Sequence, residues 1–183
     1  MMKVVCLLVG FVLFAPVSTF ALSPQSIGER LEAIVKIRAK IPNHARTARS
    51  LGTERDGNGV VIDSEGHILT IGYLILEANF IEILTPGGKR IRASFVGYDH
   101  RTGFGLVKAT EALGVVPMKF GDSSKLSEGD PVLVASSGGE SSLKGVRVIS
   151  RKEFAGYWEY LLEKAIFTSP PHPEYAGAAM IGA

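Results

Sequence analysis

Short runs of alternating apolar and polar residues recur along this chain, and their regular spacing constrains the fold more than any other feature. Gly57–Asp63 and Ser64–Thr70 show a hairpin pattern, two β-branched apolar runs joined by polar, glycine-bearing turn residues. Asn79–Leu84 and Lys89–Tyr98 repeat this pattern around a turn at Thr85–Gly88. Little helix separates the runs. The pattern therefore predicts an antiparallel β-sandwich or barrel.

Other segments extend this interpretation. Ile41–Arg55 lacks apolar periodicity and is rich in turn-forming and polar residues, so we expect an exposed loop there. Further short strands are predicted at Ile34–Lys40, Phe104–Ala109, Pro117–Phe120, Pro131–Ser136 and Val146–Ser150.

Two segments have helical patterns instead. Ser23 can cap, and Pro24 can begin, a short N-terminal helix that continues into Ala33. In Glu153–Lys164, aromatic residues and leucines recur at helical spacing and include Trp158, the one tryptophan of the chain. Core packing is the simpler interpretation of this second apolar face, and an aromatic binding wall is the alternative.

Residues 1–21 have the pattern of a secretory signal peptide. Lys3 precedes an apolar run from Val4 to Phe14, which is too short for a membrane-spanning helix of roughly 20 apolar residues. We therefore expect cleavage after Ala21, a secreted or periplasmic product without a membrane anchor, and one domain over residues 22–183. An uncleaved membrane tether is the alternative.

Composition excludes several functional classes for the mature chain. The only cysteine of the full sequence, Cys6, lies in the predicted signal peptide, so disulfides, thiolate metal sites and a cysteine nucleophile are not expected in the mature chain. Loss of Lys3 lowers the formal net charge from +2 to +1, which gives no indication of nucleic-acid binding. The four histidines are dispersed without a metal-ligating spacing. We expect neither a metal nor a cofactor.

Two motifs resemble the secreted HtrA/Deg family of trypsin-like serine proteases. Gly57–Asp63 is similar to the family's G-S-G-hydrophobic run, and Gly121–Leu133 is close to its more specific G-D-S-x-x-L-x-x-G-D motif. The resemblance spans most of the mature chain. It implies an all-β fold of the chymotrypsin/trypsin type, with two six-stranded antiparallel barrels packed together. Because Ala183 comes just after the expected start of a strand, an incomplete second barrel with an exposed sheet edge is expected.

The positions that carry the catalytic triad in that family hold other residues here. Tyr73 stands in Thr70–Ile75, where the family's T-N-x-H-V-V delivers the general-base histidine. Gly103 replaces the aspartate that orients the histidine, and Ala176 replaces the nucleophilic serine. A phenol with a pKa of about 10 stays protonated at neutral pH, and alanine offers no nucleophile. The resemblance thus implies a degenerate triad.

The loop that would form the oxyanion hole is altered as well. Two residues before the serine the family has glycine, but this chain has Glu174, whose carboxylate is electrostatically adverse to a developing oxyanion. Tyr175 follows in the same loop. An alignment fixed at Thr168 instead places Gly177 at the serine position, and either register lacks a hydroxyl.

A replacement triad is the alternative for catalysis. His100 or His172 could act with Ser169, Asp99 or Glu174, which lie near the lost positions in sequence. Both histidines lie in turns, where exposed histidines usually serve no catalytic purpose, so this assembly is disfavoured.

The sequence favours a secreted, catalytically inactive HtrA-like protein that keeps the scaffold and binds a peptide or protein. Two other interpretations stay open. One is a working serine endopeptidase whose catalytic residues are misassigned or lie outside this chain. The other is a truncated, non-functional fragment. A homotrimer is implied by the family resemblance alone.

Overall fold

The alternating segments form strands, as predicted, because alternation allows each strand to bury one face. A computed structural model describes residues 25–156 and 160–182; the predicted signal peptide, Ser23, Pro24 and Trp158 lie outside these residues. The strands are β1 (Ile34–Lys40), β2 (Glu54–Val61), β3 (His67–Ile71), β4 (Phe80–Leu84), β5 (Arg90–Tyr98), β6 (Phe104–Ala109), β7 (Pro131–Ala135), β8 (Lys144–Gly156), β9 (Tyr160–Ser169) and β10 (Ala179–Ile181). The helices are α1 (Ile27–Glu32) and α2 (Ala48–Leu51), and 3-10 turns span Gly72–Leu74, Ser123–Lys125 and Gly139–Ser142.

The first six strands close into an antiparallel barrel. Their order is β1-β2-β3-β6-β5-β4, and β4 pairs back onto β1. Every second side chain of β1 points inward, which explains why Val35, Ile37 and Ala39 are buried while Lys40 is exposed. These residues pack with inward side chains from the other strands, including Ile68, and form the larger apolar core of the molecule.

The last four strands form an open antiparallel sheet in the order β10-β7-β8-β9. This order repeats the arrangement β4-β1-β2-β3 of the first barrel, because in both halves the fourth strand pairs with the first. Within the described residues the second half therefore has two sheet edges, β9 and β10. The expected trypsin-type architecture is confirmed by a closed first barrel followed by a second sheet.

The N-terminal helix α1 packs against the second sheet. Its cap is Ser26, whose hydroxyl accepts the N–H of Glu29 while the Glu29 carboxylate accepts the N–H of Ser26, a capping box. The expected helix is thus present, but it begins later than the Ser23 cap predicts. Leu31 at its end lies in a small core with Ile34, Ala135, Ala179 and Ile181. No helix within the described part of the chain is long and apolar enough to cross a membrane.

The helix predicted over Glu153–Lys164 is wrong in the described residues, where β8 and β9 form a long antiparallel hairpin. Phe154 pairs with Leu162 across the ladder, and the apolar spacing that suggested a helix instead places side chains from both strands next to each other. Core packing is wrong for Phe154 and Leu161, which are 41% and 44% exposed, whereas Tyr157 and Trp158 of the same prediction lie outside the described residues. Pairing between strands has overridden a local pattern.

Two loop and strand predictions also need correction. Pro117–Phe120 is irregular rather than a strand, and its one ladder-like contact is the N–H of Met118 on the carbonyl of Val61. Ile41–Arg55 is not simply an exposed loop. It contains the helical turn α2 and enters β2, and both Ile41 and Arg55 are buried.

Candidate functional site

Two of the three predicted triad positions meet at one end of the first barrel. Tyr73 lies in the 3-10 turn directly after β3, and Gly103 lies directly before β6. Because β3 and β6 pair, these two chain ends are neighbours, and the N–H of Gly72 donates to the carbonyl of Gly103 at 2.7 Å. The barrel therefore brings positions 73 and 103 together although thirty residues of sequence, by their numbering, separate them.

Ala176 joins the same region through Asn58 on β2. The Asn58 N–H donates to the carbonyl of Ala176 at 2.8 Å, and the Asn58 side-chain amide donates to the carbonyls of Ala176 and Glu174 at 3.0 and 3.1 Å. Its amide oxygen accepts the N–H of Ser137 at 2.9 Å. Asn58 thus fastens the segment around Ala176 to the first barrel and to the end of β7.

The segment also packs closely on β2. Gly177 has a φ of +71°, and a Cβ at this position would lie 2.0 Å from the carbonyl oxygen of Asn58. A Cβ at Gly57 would lie 3.0 Å from the carbonyl oxygen of Ala176. Glycine is therefore required on both sides of this contact, which keeps the segment against the barrel.

Tyr73 stays protonated in this environment. Burial raises the pKa of its phenol most, and the nearby phenols of Tyr175 and Tyr160 raise it further, whereas the cationic Arg55 lowers it. A phenol whose pKa lies above its ordinary value of about 10 is already protonated at neutral pH, so it cannot accept a proton from a nucleophile. The structure places three tyrosines around this point, and Tyr175 is 74% exposed.

The space beside Gly103 is filled by Tyr160. Gly103 has a φ of +74°, and a Cβ built on it would lie 2.7 Å from Cδ1 of the Tyr160 ring. Burial raises the pKa of the Tyr160 phenol as well. A carboxylate cannot occupy position 103 while this ring stays in place, so the region offers no acid there.

Glu174 does not face an empty anion site. Its carboxylate accepts the hydroxyl of Ser136, which is fully buried, at 2.6 Å. Its N–H donates to Nδ1 of His172 at 3.1 Å, and Nε2 of His172 lies 2.7 Å from the carbonyl of Ser142. Nδ1 therefore accepts and Nε2 donates, which fixes the tautomer of His172.

The replacement triad does not assemble in this geometry. His172 was expected in an exposed turn but is only 8% exposed, and both of its ring nitrogens contact backbone atoms. His100 packs edge-on against the ring of Tyr98, 4.5 Å between centroids. The carboxylate of Asp99 accepts the hydroxyl of Thr102, the main cause of its lowered pKa.

A buried arginine that sequence reasoning assigned to a loop supports the turn that carries Tyr73. Arg55 is 4% exposed and donates to the carbonyls of Tyr73 and Leu76 and to the hydroxyl of Thr47. Burial lowers the pKa of its guanidinium, while the neighbouring Glu77 raises it. Alternation along β2 was the available signal, because Arg55 faces inward two residues before the inward-facing Gly57.

Glu77 completes this support. It has a φ of +60°, unusual for a residue with a side chain, and its carboxylate accepts the hydroxyl and the N–H of Thr47 at 2.6 and 2.8 Å and the N–H of Arg46 at 3.1 Å. The turn after β3 is thus held from both sides, by a buried cation and by an anion that binds the neighbouring loop.

The strands form a closed six-stranded antiparallel barrel followed by a second antiparallel sheet, and the segment after β9 is fastened between them. This arrangement defines the trypsin-like class of folds. The family described as Trypsin-like peptidase domain matches residues 57–181, more than half of the chain, and the chain belongs to this family. Within it the chain is HtrA/Deg-like.

Curated relatives support this placement. A probable periplasmic serine endoprotease DegP-like from Pseudomonas putida strain GB-1 is 32% identical over 96 residues, which cover 52% of this chain and 20% of that protein. Serine protease Do-like HtrA from Lactococcus lactis subsp. lactis is 31% identical over 85 residues, 45% of this chain and 21% of that protein. The matched part thus spans about a fifth of the length of these relatives.

Solved structures share the fold. HtrA-type protease AlgW with tripeptide superposes with a TM-score of 0.68 at 19% identity, covering 86% of this chain and 51% of that one. Rv3671c protease from M. tuberculosis in its active form gives a TM-score of 0.64 at 18% identity, covering 93% and 79%. At such low identity these likenesses concern the fold alone.

Proposed function

We propose that this chain is a secreted or periplasmic HtrA-like protein that binds a peptide or protein segment without cleaving it. The observation that carries the proposal is the set of side chains around Ala176: a protonated Tyr73, a Gly103 whose space is taken by Tyr160, and no hydroxyl at position 176. Without a base, an orienting acid or a nucleophile, acyl transfer has no route.

The expected loss is large. Enzymes that lack a triad member keep only about 10³- to 10⁴-fold acceleration over water, which comes from the oxyanion hole and substrate binding. Glu174 stands at the position where a glycine N–H would face the oxyanion, so less acceleration is expected here.

Binding is favoured because hydrogen bonds hold this region in place although it lacks a triad. Asn58 fixes the segment around Ala176 through hydrogen bonds, and Arg55 and Glu77 fix the turn of Tyr73. Catalysis does not account for these contacts in a chain without a triad. One fold relative, AlgW, is described with a tripeptide, which supports a peptide ligand. Relatives described as periplasmic support export, and the family likeness supports a homotrimer, which light scattering would test.

Activity labelling tests the catalytic half of the proposal. The purified chain is treated with a fluorophosphonate probe and assayed for cleavage of unfolded casein, beside an active DegP-like protease as positive control. We expect neither labelling nor cleavage. Labelling of one serine that disappears on prior heat unfolding would overturn the inactive assignment, and Ser169→Ala and Ser136→Ala would identify which serine is involved.

Capture of casein-derived peptides tests the binding half. The immobilised chain is incubated with a peptide digest of casein, and retained peptides are identified by mass spectrometry. Heat-unfolded chain serves as the control for non-specific adsorption. Peptides retained only by folded protein are the expected result, and equal retention by both samples would contradict it.

A further inference from the structure

The outer face of three neighbouring strands of the first barrel is rich in cations. β1, β4 and β5 are adjacent, and every second residue of each strand points outward, between inward residues such as Ile37, Ile83 and Ile91. The outward cations are Lys36, Arg38, Lys40, Arg90 and Arg92. They lie on one surface of the barrel, which we call the basic face.

The strand registers arrange these cations in rows across the basic face. Lys36 on β1 pairs with Leu84 on β4, which pairs in turn with Arg90 on β5. The next row consists of Arg38, Glu82 and Arg92. Because neighbouring strands lie about 4.8 Å apart, the backbones of the cations on β1 and β5 are separated by about 10 Å. This is about one Debye length at 0.1 M salt, so the charges act together on a partner.

Only part of this charge is neutralised by the protein itself. The guanidinium of Arg38 lies 3.4 Å from the carboxylate of Asp56, and that of Arg90 lies 3.5 Å from the carboxylate of Glu82. Within the part of the chain that the structure describes, three cations of the basic face form no ion pair: Lys36, Lys40 and Arg92.

The ring of Phe80 on β4 brings two of these unpaired cations together. The guanidinium carbon of Arg92 lies 4.0 Å from the ring centroid, and the ammonium of Lys40 lies 5.9 Å from it. Glu54 is opposite Lys40 in the β1–β2 ladder but does not pair with its ammonium, which lies beside Phe80 on the other side of β1. A ring quadrupole offsets two like charges weakly. An anion beside Phe80 would offset their repulsion directly.

We propose that the basic face docks the protein reversibly onto an anionic lipid membrane, with lipid phosphates beside Lys40, Arg92 and Lys36. This inference is independent of the proposed peptide binding. Each lysine or arginine near an anionic membrane surface strengthens binding about fivefold, so three uncompensated cations give about a hundredfold together. The guanidinium of Arg92 lies over Phe80 and is thereby held in place, which lowers the entropic cost of meeting a phosphate.

The charge pattern fits a membrane better than a nucleic acid. Single-stranded nucleic acids stack their bases on aromatic side chains. On the basic face the ring between the cations, Phe80, is already stacked against Arg92. A membrane presents phosphates over a plane, so it can meet rows of cations on a sheet face without a groove and without a free ring.

Co-sedimentation with vesicles tests the proposal. The purified chain is mixed with vesicles of phosphatidylcholine alone, or of equal parts of phosphatidylcholine and phosphatidylglycerol. We expect binding to the anionic vesicles only, with affinity that falls as salt is raised because the charges are screened. Lys36→Gln, Lys40→Gln and Arg92→Gln should each weaken binding about fivefold, and the triple variant about a hundredfold.

A second triple variant is the matched control, because it loses the same net charge elsewhere. Its three exposed lysines lie in the connection to the second sheet and in β8 and β9: Lys119, Lys152 and Lys164. Lys152 also resembles Arg92 in position, since its ammonium lies 4.9 Å from the centroid of an aromatic ring, that of Phe167. With all three changed to glutamine, binding should stay within about fivefold of the unchanged protein. Circular dichroism and thermal unfolding verify that both triple variants are folded.

Four results would overturn the membrane proposal. The first is equal binding to neutral and anionic vesicles, or to neither. The second is equal weakening by the two triple variants, which would assign the attraction to net charge alone. The third is stronger release by inorganic phosphate than by chloride at equal ionic strength, which would indicate a discrete anion pocket. The fourth is tighter binding to a labelled oligothymidylate than to anionic vesicles, lost in the basic-face variant, which would make nucleic acid the partner.

Discussion

The ring of Tyr160 occupies the space that any side chain at Gly103 would need. A Cβ on Gly103 would lie 2.7 Å from Cδ1 of Tyr160, far inside the 3.5 to 4.0 Å at which carbon atoms attract one another. Tyr160 also packs against Phe154, with 6.3 Å between ring centroids, so the ring is held by the β8–β9 hairpin. A side chain at position 103 and the ring of Tyr160 in this place therefore exclude each other.

This contact predicts energetic coupling between positions 103 and 160. Gly103→Ala should cost more stability in the unchanged protein than in a Tyr160→Ala background, with a coupling of about 1 kcal/mol or more, as contacting residues show. The backbone strain at φ +74° is present in both backgrounds and cancels. Urea unfolding of the four proteins measures the cycle, and additive costs would contradict the steric account.

The same contact bears on restoration of a triad. Tyr73→His, Gly103→Asp and Ala176→Ser together should remain unlabelled by a fluorophosphonate, because the aspartate cannot reach its place beside Tyr160. Labelling should require Tyr160→Ala as a fourth change. Efficient labelling of the triple variant would show that the ring moves aside at little cost.

Gly177 should tolerate alanine much less than Gly88, although both have a positive φ. A Cβ at Gly88 meets no atom within 4 Å, so Gly88→Ala should cost only the left-handed backbone term of roughly 1–2 kcal/mol. At Gly177 the Cβ meets the carbonyl oxygen of Asn58 at 2.0 Å, and overpacking adds about 1–3 kcal/mol. Chemical unfolding of both variants measures the difference, and equal costs would contradict the close packing of the segment on β2.

Arg55→Met should strongly destabilise the protein, because it leaves the carbonyls of Tyr73 and Leu76 without their charged donor. Hydrogen bonds to charged groups contribute about 1.5–3 kcal/mol each, so a loss of at least about 2 kcal/mol is expected. Arg38→Met is the control. Arg38 makes one exposed ion pair with Asp56 at 3.4 Å, which should contribute less than about 1 kcal/mol. Similar costs for the two variants would refute the support role of Arg55.

The sequence could predict most strands because alternation is a local property. The hairpins at Gly57–Thr70 and Asn79–Tyr98 have their apolar faces and turn residues side by side, so no distant information is needed. The β8–β9 hairpin resembles a helix in sequence because its apolar residues are arranged by pairing across the ladder. Two of these residues, Phe154 and Leu161, are exposed, so their spacing does not follow a buried face.

The candidate site was less accessible to sequence reasoning. Positions 73, 103 and 176 could be identified through motifs, but their surroundings depend on contacts between distant segments. Tyr160 reaches Gly103 only because the β8–β9 hairpin extends to the first barrel, where the N–H of Leu161 donates to the carbonyl of Arg101 at 3.1 Å. No periodicity in either segment predicts that meeting.

Glu77 should make stability depend on pH in the acidic range. Hydrogen bonds from the side chain and the backbone N–H of Thr47, and then from the N–H of Arg46, hold the pKa of its carboxyl below the usual value. A carboxyl whose pKa is lowered on folding stabilises the folded state above its unfolded pKa of about 4.3, and this contribution is lost as pH falls through the folded value. Glu77→Gln should therefore be less stable than the unchanged protein at pH 7, and the difference should shrink as the solution is acidified.

Glutamine is the appropriate replacement because it keeps the strain of φ +60° in both proteins and removes only the charge and one of the two acceptor oxygens. Thermal unfolding at a series of pH values measures the difference. Glu111→Gln, which removes an exposed carboxylate paired with Lys89, controls for the general loss of one negative charge. If the gap between Glu77→Gln and the unchanged protein stayed constant from neutral to acidic pH, the carboxylate would not be what holds the turn of Tyr73 to the loop at Thr47. Of the two groups that hold the turn of Tyr73, Arg55 alone would then remain.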